Sequence, residues 1–144
     1  MRETIVFTVE GIGEFEVYKT KTCGDEFKIE NAAAEICGGG VELVKFKIEV
    51  ANQYEKVQSQ VKEDVNSNLM DLAFFMDLNE NMNSIYSYAI LSVIIVRTPE
   101  GISKKINEWT REQLKSVYSA YEVALKPFSR SDKLILDEAV TQGV

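Results

Sequence analysis

Histidine, the side chain whose chemistry serves catalysis and metal binding most often, is absent from this sequence of 144 residues. Histidine is the commonest general base, a common activator of nucleophiles and a common zinc ligand. The two cysteines, Cys23 and Cys37, therefore have no imidazole to convert either thiol into a reactive thiolate. We expect neither thiol to be catalytic, and the sequence predicts a protein that is not an enzyme and needs no cofactor.

The glycine and carboxylate clusters of the sequence do not match known nucleotide-binding or calcium-binding motifs. Gly11-Ile12-Gly13 and Gly38-Gly39-Gly40 match neither a dinucleotide fingerprint nor a phosphate loop, and we interpret them as a hairpin turn and a helix stop. Glu63-Asp64, Asp71 and Asp77 lie near asparagines, but the twelve-residue spacing of a calcium loop is missing. Such carboxylates are typical of solvated helix faces, so no metal site is predicted.

The sequence is acidic, with a net charge of −7 and a pI near 4.7. Residues 1–40 and 41–80 each carry 4 basic and 8 acidic side chains, whereas residues 81–144 carry 8 basic and 7 acidic ones. An acidic surface repels phosphate groups, so we expect no nucleic-acid partner. The longest apolar stretch, Ala89–Val96, is too short to span a bilayer, and we expect no membrane partner either.

The spacing of the two cysteines indicates whether they can form a disulfide, and so which cellular compartment suits the protein. If residues 23–37 form one helix, Cys23 and Cys37 lie roughly 20 Å apart at 1.5 Å per residue. A disulfide requires Cα atoms within about 7 Å. We therefore predict two free thiols, which suit a reducing compartment, and with no visible signal peptide the expected location is the cytoplasm.

The first 40 residues predict a β-hairpin followed by a helix. Residues 4–9 and 14–19 are rich in β-branched and aromatic side chains and flank the first glycine segment. Thr22, with Asp25 three residues later, has the spacing of a helix N-cap with an acidic first turn. The glycines that begin at Gly38 end this helix.

The next segment fits two patterns. Residues 44–50 alternate apolar and charged side chains as in a strand, whereas apolar residues from Leu43 to Val65 recur every three or four positions as in a helix. The helical register explains more apolar positions. We favour one helix over residues 41–66 and keep a strand at 42–50 as the alternative.

Two asparagine-rich segments predict helix breaks. Asn66-Ser67-Asn68 and the stretch from Asn79 to Asn83 should separate a helix over 69–78 from a helix over 84–97. The second of these helices is apolar on most sides and should be central and buried. Its β-branched end, 93–97, leaves a strand as the alternative.

The last third of the chain has clear turn and cap signals. Pro99-Glu100-Gly101 predicts a turn. Thr110 begins a capping box for a helix that we expect Pro127 to end, and Ser131 would cap a last short helix.

Together these elements predict a helix-rich α+β fold, roughly half helix, in which the N-terminal hairpin packs on a bundle of about five to six helices. The length suits a single domain of residues 1–144. Within it, residues 1–40 would form the hairpin and first helix, and residues 41–144 the helical portion.

Five aromatic residues late in the chain are the candidate site residues. They are Tyr86, Tyr88, Trp109, Tyr118 and Tyr121. Tyrosine and tryptophan at such spacing either fill a core or anchor a protein partner. Both interpretations stay open at this point.

Two segments resemble a known family. The sequence YAILSVIIVRTPEG at 88–101, then Trp109, then REQLKSVYSAYEVALKPF at 111–128, resembles the C-terminal half of tail assembly chaperone-like proteins of long-tailed bacteriophages. The sequence GEFEVYKTKTCGDEFKIENAAAEICGG at 13–39 is similar to the opening of those proteins, a hairpin strand followed by Thr-x-x-Asp and a helix that closes in glycines.

The resemblance implies a protein of the bacterial host cytoplasm that binds another tail component, such as the tape measure or a tube subunit, before virion assembly. The five aromatic residues would supply the binding surface. The alternative is a small acidic phage- or prophage-encoded inhibitor or adaptor that binds a host protein.

Overall fold

The computed structural model describes the backbone of residues 2–59 and 65–142 and the side chains of residues 2–59 and 69–128. The elements in chain order are β1 (Thr4–Val9), β2 (Gly13–Tyr18), α1 (Cys23–Cys37), α2 (Gly40–Ser59), α3 (Val65–Ile94), β3 (Ile95–Arg97), a single 3-10 turn (Ile106–Glu108) and α4 (Arg111–Gln142). The predicted α+β class is confirmed. The protein is 69% helical, and its described residues form four α-helices, fewer than the five to six predicted.

The predicted hairpin is confirmed and gains a third strand. β1 and β2 pair antiparallel with Phe7 opposite Phe15, and the Ile12 amide donates to the Val9 carbonyl at 3.0 Å. β3 pairs antiparallel with β2, so the strand order is β1-β2-β3. At Gly13, φ is 135° and a Cβ atom would lie 2.6 Å from Cβ of Pro99, so only glycine fits this turn.

Helix α1 begins and ends as predicted. The Thr22 hydroxyl accepts from the Asp25 amide at 3.1 Å, and the Asp25 carboxylate accepts from the Thr22 amide at 3.1 Å, which completes a capping box. Gly38 caps the other end in the left-handed conformation. Cys23 and Cys37 are free thiols at the first and last positions of the helix.

Helix α2 settles the choice between helix and strand for residues 41–50 in favour of the helix. Leu43 is buried and Phe46 half-buried, while Val44 and Ile48 are exposed. The strand-like alternation arises because two different sides of one helix carry apolar residues. The described part of α2 ends at Ser59, and the rest of the predicted helix to residue 66 lies partly outside the described residues.

The predicted breaks in α3 are wrong. One helix runs from Val65 to Ile94 through both asparagine-rich segments, so the predicted helices at 69–78 and 84–97 are one. Asparagine costs a helix only about 0.7 kcal/mol relative to alanine. The apolar spacing continues across the second segment from Leu78 to Met82, so packing overrides that cost. The strand alternative for 93–97 is correct from Ile95 onward.

The predicted stop at Pro127 is also wrong. α4 continues through Pro127 to Gln142, and Ser131 lies inside it rather than at the cap of a new helix. A proline removes one backbone donor and costs a helix interior about 3 kcal/mol. Nζ of Lys19 lies 4.4 Å from the ring centroid of Phe128, the residue that follows Pro127. The predicted start is correct, because Thr110 and Gln113 form the capping box.

The chain divides into two compact units. The sheet unit comprises residues 1–20 and 94–144, and the helical unit comprises residues 21–93. The sheet unit contains β1, β2, β3 and α4, and the helical unit contains α1, α2 and nearly all of α3. The prediction of one domain over 1–144, with parts 1–40 and 41–144, stays a prediction. Within the described ranges, no helix has the length and apolarity that a membrane span requires.

Candidate partner-binding surfaces

The structure separates the five candidate aromatic residues into two groups. Trp109, Tyr118 and Tyr121 belong to the sheet unit, whereas Tyr86 and Tyr88 belong to α3 in the helical unit. Each group therefore has to be assessed by its own surroundings.

In the sheet unit the aromatic residues form one row together with two phenylalanines of the hairpin. The ring of Trp109 meets the edge of Phe15 at 5.8 Å between centroids, and Phe15 stacks on Phe7 at 5.7 Å. Phe7 contacts Tyr121 at 6.2 Å, which contacts Tyr118 at 5.7 Å. Phe15 is fully buried and Tyr121 is 3% exposed, so this row is the core of the sheet unit.

Trp109 is fixed within this unit by more than packing. Its indole Nε1–H donates to the Ser103 carbonyl at 2.8 Å, and the side chain is half-buried. Burial raises the pKa of Tyr121 to about 12 and also raises the pKa of Tyr118. The low exposure of the Tyr121 side chain, 3%, favours the core interpretation for this residue. Trp109 and Tyr118 each keep part of the ring accessible.

In the helical unit, Tyr86 joins a polar group on the surface. Its hydroxyl donates to the Glu30 carboxylate at 3.0 Å, which also accepts from Nζ of Lys47 at 3.2 Å. Hydrogen bonding to Tyr86 and Glu30 raises the pKa of Lys47, and burial raises the pKa of Tyr86. A nucleophilic lysine needs a lowered pKa, so this group holds a charge rather than preparing a reaction. Tyr88 lies half-buried on the same helix.

Beside Tyr86 a groove runs along the seam of α2 and α3. These helices are antiparallel neighbours, because Lys47 faces Tyr86, Tyr54 meets Phe75 at 5.5 Å, and Lys56 pairs with Asp71 at 3.3 Å. The open groove has a volume of about 540 Å³. It is lined by Lys47, Val50, Ala51, Tyr54, Phe75, Asn79, Met82 and Tyr86. We call it the α2–α3 groove.

An exposed apolar stripe lies on each bank of the α2–α3 groove. The α2 stripe consists of Val41, Val44 and Ile48, and the α3 stripe consists of Leu69, Leu72 and Met76. At about 100° per residue, each stripe falls within roughly 80° of a groove-lining residue on its own helix. We call the groove and the two stripes together the hairpin face, after the helical hairpin that α2 and α3 form and not the β-hairpin of β1 and β2.

The start of α3 is apolar beyond this face. Eight of the ten residues from Leu69 to Leu78 are apolar. Met70 is 79% exposed and Phe74 is 48% exposed, on a side of the helix away from the α3 stripe. A helix that is apolar on most sides is normally buried, so the exposed start of α3 is a candidate contact surface.

The helical unit holds most of the protein's negative charge, with 12 acidic and 6 basic residues between positions 21 and 93. Its α2 lysines are each used internally: Lys45 lies 3.9 Å from Glu42, Lys47 is paired with Glu30, and Lys56 with Asp71. Across the described residues, Glu49, Glu55 and Asp77 are exposed and have no ion pair. The helical unit therefore carries a net negative charge.

Sequence reasoning missed the α2–α3 groove and its two stripes. The available signal is the double pattern of residues 41–50, which marks two apolar sides of one helix. In the portion that the structure describes, no group of three or more acidic or cysteine side chains is placed to hold a metal ion.

Comparison with protein families, curated proteins and solved structures gives no match in any of the three. The resemblance to tail assembly chaperone-like proteins therefore stays a prediction.

Proposed function

We propose that this protein is a non-catalytic binding protein of the tail assembly chaperone kind, which holds another phage tail component, such as the tape measure or a tube subunit, in the host cytoplasm before assembly. The observation that carries the proposal is the exposure of the hairpin face. Its exposed residues include Val41 at 68% and Met76 at 61%, flanking an apolar groove. Contiguous apolar surface of this kind is typical of a partner-binding site.

The composition of the surface suits a protein that binds transiently. Methionine is unbranched and polarisable, so it adapts to differently shaped partners, and Met76 and Met82 lie on this face. Adaptable, methionine-rich surfaces are typical of proteins that accept more than one shape of ligand. A chaperone that must later release its client needs such adaptable contacts.

The acid–base properties support binding rather than catalysis. Among the described residues whose pKa departs from its ordinary value, every shift moves the pKa away from neutrality. Glu16 is lowered, while Lys47, Tyr86, Tyr118 and Tyr121 are raised. General acids and bases work best with a pKa near the operating pH. These groups are therefore tuned to keep their ordinary charge.

Co-expression with the tail tube and tape-measure proteins tests the proposal. Val44→Asp places a charge on the hairpin face, and Val123→Asp places the same charge on an equally exposed helical valine of α4 (54% and 59% exposed). We expect wild-type protein and Val123→Asp to capture a tail component in a pull-down, and Val44→Asp to lose at least about tenfold of the capture.

Circular dichroism of both variants is the control for folding. Capture of no tail component by the wild-type protein would overturn the assignment to tail assembly. Equal capture by Val44→Asp would show that the hairpin face is not the binding surface.

A further inference from the structure

We propose that the protein forms a symmetric dimer in which strand β1 pairs antiparallel with β1 of a second copy, so that two three-stranded sheets join into one continuous sheet. The contact belongs to the sheet unit rather than to the hairpin face, and it is separate from the binding of a tail component. Three properties of the sheet unit carry it: the open edge of β1, the residues along that edge, and the charge balance of the unit.

The outer edge of β1 is open. β1 pairs with β2 on one side, and across the residues that the structure describes no strand pairs with it on the other side. Helix α4 leaves a groove of about 510 Å³ beside β1, and small side chains such as Ser116 and Ala120 lie on its α4 wall. Val6 is 51% exposed and Thr8 is exposed as well. An exposed strand edge of this kind is a template for pairing with another strand.

The backbone groups along the open edge belong to alternate residues of β1. The Lys19 amide donates to the Glu3 carbonyl at 3.0 Å, so these two residues form a hydrogen-bonded pair of the β1–β2 ladder. Hydrogen-bonded pairs alternate with non-bonded pairs along an antiparallel ladder. Continued along the register, this alternation turns the amides and carbonyls of Thr4, Val6 and Thr8 away from β2. These three residues can therefore bond to a further strand.

The three outward residues read the same in both directions, Thr-Val-Thr. A twofold axis at Val6 places Val6 opposite Val6 of the second copy, and Thr4 opposite Thr8 of the second copy. All three residues then form hydrogen-bonded pairs, and each pair exchanges two hydrogen bonds. A shift of the axis to Ile5 or Phe7 leaves one of the three without a partner inside the opposite β1. The edge is thus self-complementary, as a twofold interface requires.

The side chains also match in this register. On the outer face of the sheet the β-branched Val6 meets its own copy, and Thr4 lies opposite Thr8, whose hydroxyl can hydrogen-bond to it. On the inner face the half-buried Ile5 lies opposite Phe7 of the second copy. Pairs of β-branched and aromatic side chains are those that stabilise neighbouring antiparallel strands.

The two edges of the sheet differ in the features that prevent such pairing. β3, at the other edge, has three residues, shifts register against β2, ends in the charged Arg97 and is followed closely by Pro99. Short strands, irregular pairing, charged side chains and prolines all disfavour contact between sheet edges. β1 has six residues in an unbroken register, with no charged side chain and no proline. The edge left without these features is the one that we pair with a second copy.

The charge of the sheet unit permits self-association. Residues 1–20 and 94–144 carry 10 basic and 11 acidic side chains, whereas residues 21–93 carry 6 basic and 12 acidic ones. Like charges brought together across an interface disfavour association, and two nearly neutral sheet units avoid most of this cost. A strand of another protein could use the same edge, but the symmetry of the edge about Val6 favours a second copy.

The oligomeric state of the full-length protein tests the inference. Analytical ultracentrifugation between about 1 μM and about 1 mM should show a reversible equilibrium of monomer and dimer. Val6→Lys places two ammonium groups opposite each other at the twofold axis and should weaken the dimer at least about tenfold. Val44→Lys is the matched control, because it makes the same change at a similarly exposed valine of the helical unit (51% and 54% exposed) and should leave the dimer unchanged.

A pair of opposite charges tests the register. Val6→Glu alone should also weaken the dimer, whereas a mixture of Val6→Lys and Val6→Glu should form a heterodimer, because the two new charges then attract each other. Circular dichroism checks that both variants are folded. If the folded variants do not associate when mixed, the twofold axis at Val6 is wrong.

Hydrogen exchange of single amides reports which strand edge is covered. As the protein concentration rises, the amides of Thr4, Val6 and Thr8 should exchange more slowly, because the dimer bonds them. The amides of Ile5 and Phe7 turn toward β2 and should show no such dependence.

Three results would overturn the dimer. The first is a protein that stays monomeric up to about 1 mM. The second is a dimer that Val6→Lys leaves intact, and if Val44→Lys dissociates it instead, the contact is the hairpin face. The third is a monomeric protein in which a tail component slows exchange at Thr4, Val6 and Thr8, since the occupant of the edge would then be a strand of that component.

Discussion

The two compact units distribute their apolar residues in opposite ways. The sheet unit buries its large aromatic side chains in one row from Trp109 through Phe15 to Tyr121. The helical unit has a small core built around Ile29, Ala33, Leu43 and Ala89. Of the fourteen large apolar side chains that are exposed among the described residues, eleven belong to the helical unit.

The two units therefore differ in how much stability they gain from their apolar side chains. Buried area stabilises a unit by roughly 25 cal/mol per Å² of apolar surface, so the sheet unit gains stability from its aromatic residues within the chain. The helical unit leaves comparable side chains in water. A partner that covered them, as we propose, would stabilise the unit by mass action.

The largest expected effect in the comparison comes from Phe15→Ala. Phe15 is fully buried between Phe7 and Trp109, so its truncation should cost about 3–5 kcal/mol of unfolding free energy. Phe27→Ala is the matched control, because Phe27 in α1 is 73% exposed and should cost under about 0.5 kcal/mol. Urea unfolding of both variants measures the difference. Similar losses for the two phenylalanines would break the contrast between the units.

Trp109→Ala decides between core and partner anchor. The indole packs on Phe15 and donates to Ser103, so we expect a loss of about 2–3 kcal/mol in stability. An anchor residue would instead weaken capture of a tail component by about 2 kcal/mol, on the order of thirtyfold, while the protein stays fully stable. Trp109→Phe keeps the ring and removes the donor, so it should restore most of the lost stability if packing dominates.

Parallel measurements of unfolding and of pull-down capture separate these results. Weakened capture with unchanged stability would establish Trp109 as a binding residue, as the family resemblance implies. Lower stability with unchanged capture per folded molecule would assign it to the core of the sheet unit.

The parts of the fold that the sequence predicted are those with local causes. The hairpin follows from its glycine turn, α1 from the Thr22–Asp25 box, and the start of α4 from the Thr110–Gln113 box. Each signal is complete within a few residues, so no knowledge of packing is needed. The same holds for the Pro99–Gly101 turn, where the Ile102 amide donates to the Pro99 carbonyl at 3.1 Å.

The failed prediction of a break in α3 concerns residues whose local preference is overridden by packing. Asn79–Asn83 disfavour a helix by an amount that packing can offset, and the sequence alone does not show that packing. The candidate site depends on packing in the same way. Aromatic residues such as Tyr121 stood out by type, but whether they face a core or a partner depends on Phe7 and Phe15, which lie about 100 residues away.

A pair of glycines compares how tightly the two units are built. Gly13→Ala should destabilise the sheet unit by about 1–3 kcal/mol, because φ is 135° and Cβ would lie 2.6 Å from Pro99. Gly40→Ala should stabilise α2 by about 0.5–1 kcal/mol, since nothing lies within 4 Å of the added Cβ and the position is helical. Thermal unfolding of the two variants should shift the midpoint in opposite directions. A loss of stability in Gly40→Ala would contradict the open packing inferred for the helical unit.

The smallest expected effect concerns the outer face of the sheet, where each strand contributes one residue to a polar group. The Thr4 hydroxyl donates to Glu16 at 2.7 Å, and Nε of Arg97 donates to the same carboxylate at 3.5 Å. The hydrogen bond from Thr4, followed by Arg97, lowers the pKa of Glu16 from its ordinary value of 4.5. Because the pKa is lower in the folded than in the unfolded protein, the contribution to stability is present above about pH 5. It is lost as the pH falls through the lowered value.

Urea unfolding between about pH 6 and pH 3 should therefore show a steeper loss of unfolding free energy with acid for wild-type protein than for Glu16→Gln. Glu10→Gln, at an exposed position, is the control that should keep the wild-type slope. If Glu16→Gln loses stability in acid as steeply as wild-type protein, the group that joins the three strands makes no contribution to the stability of the sheet unit.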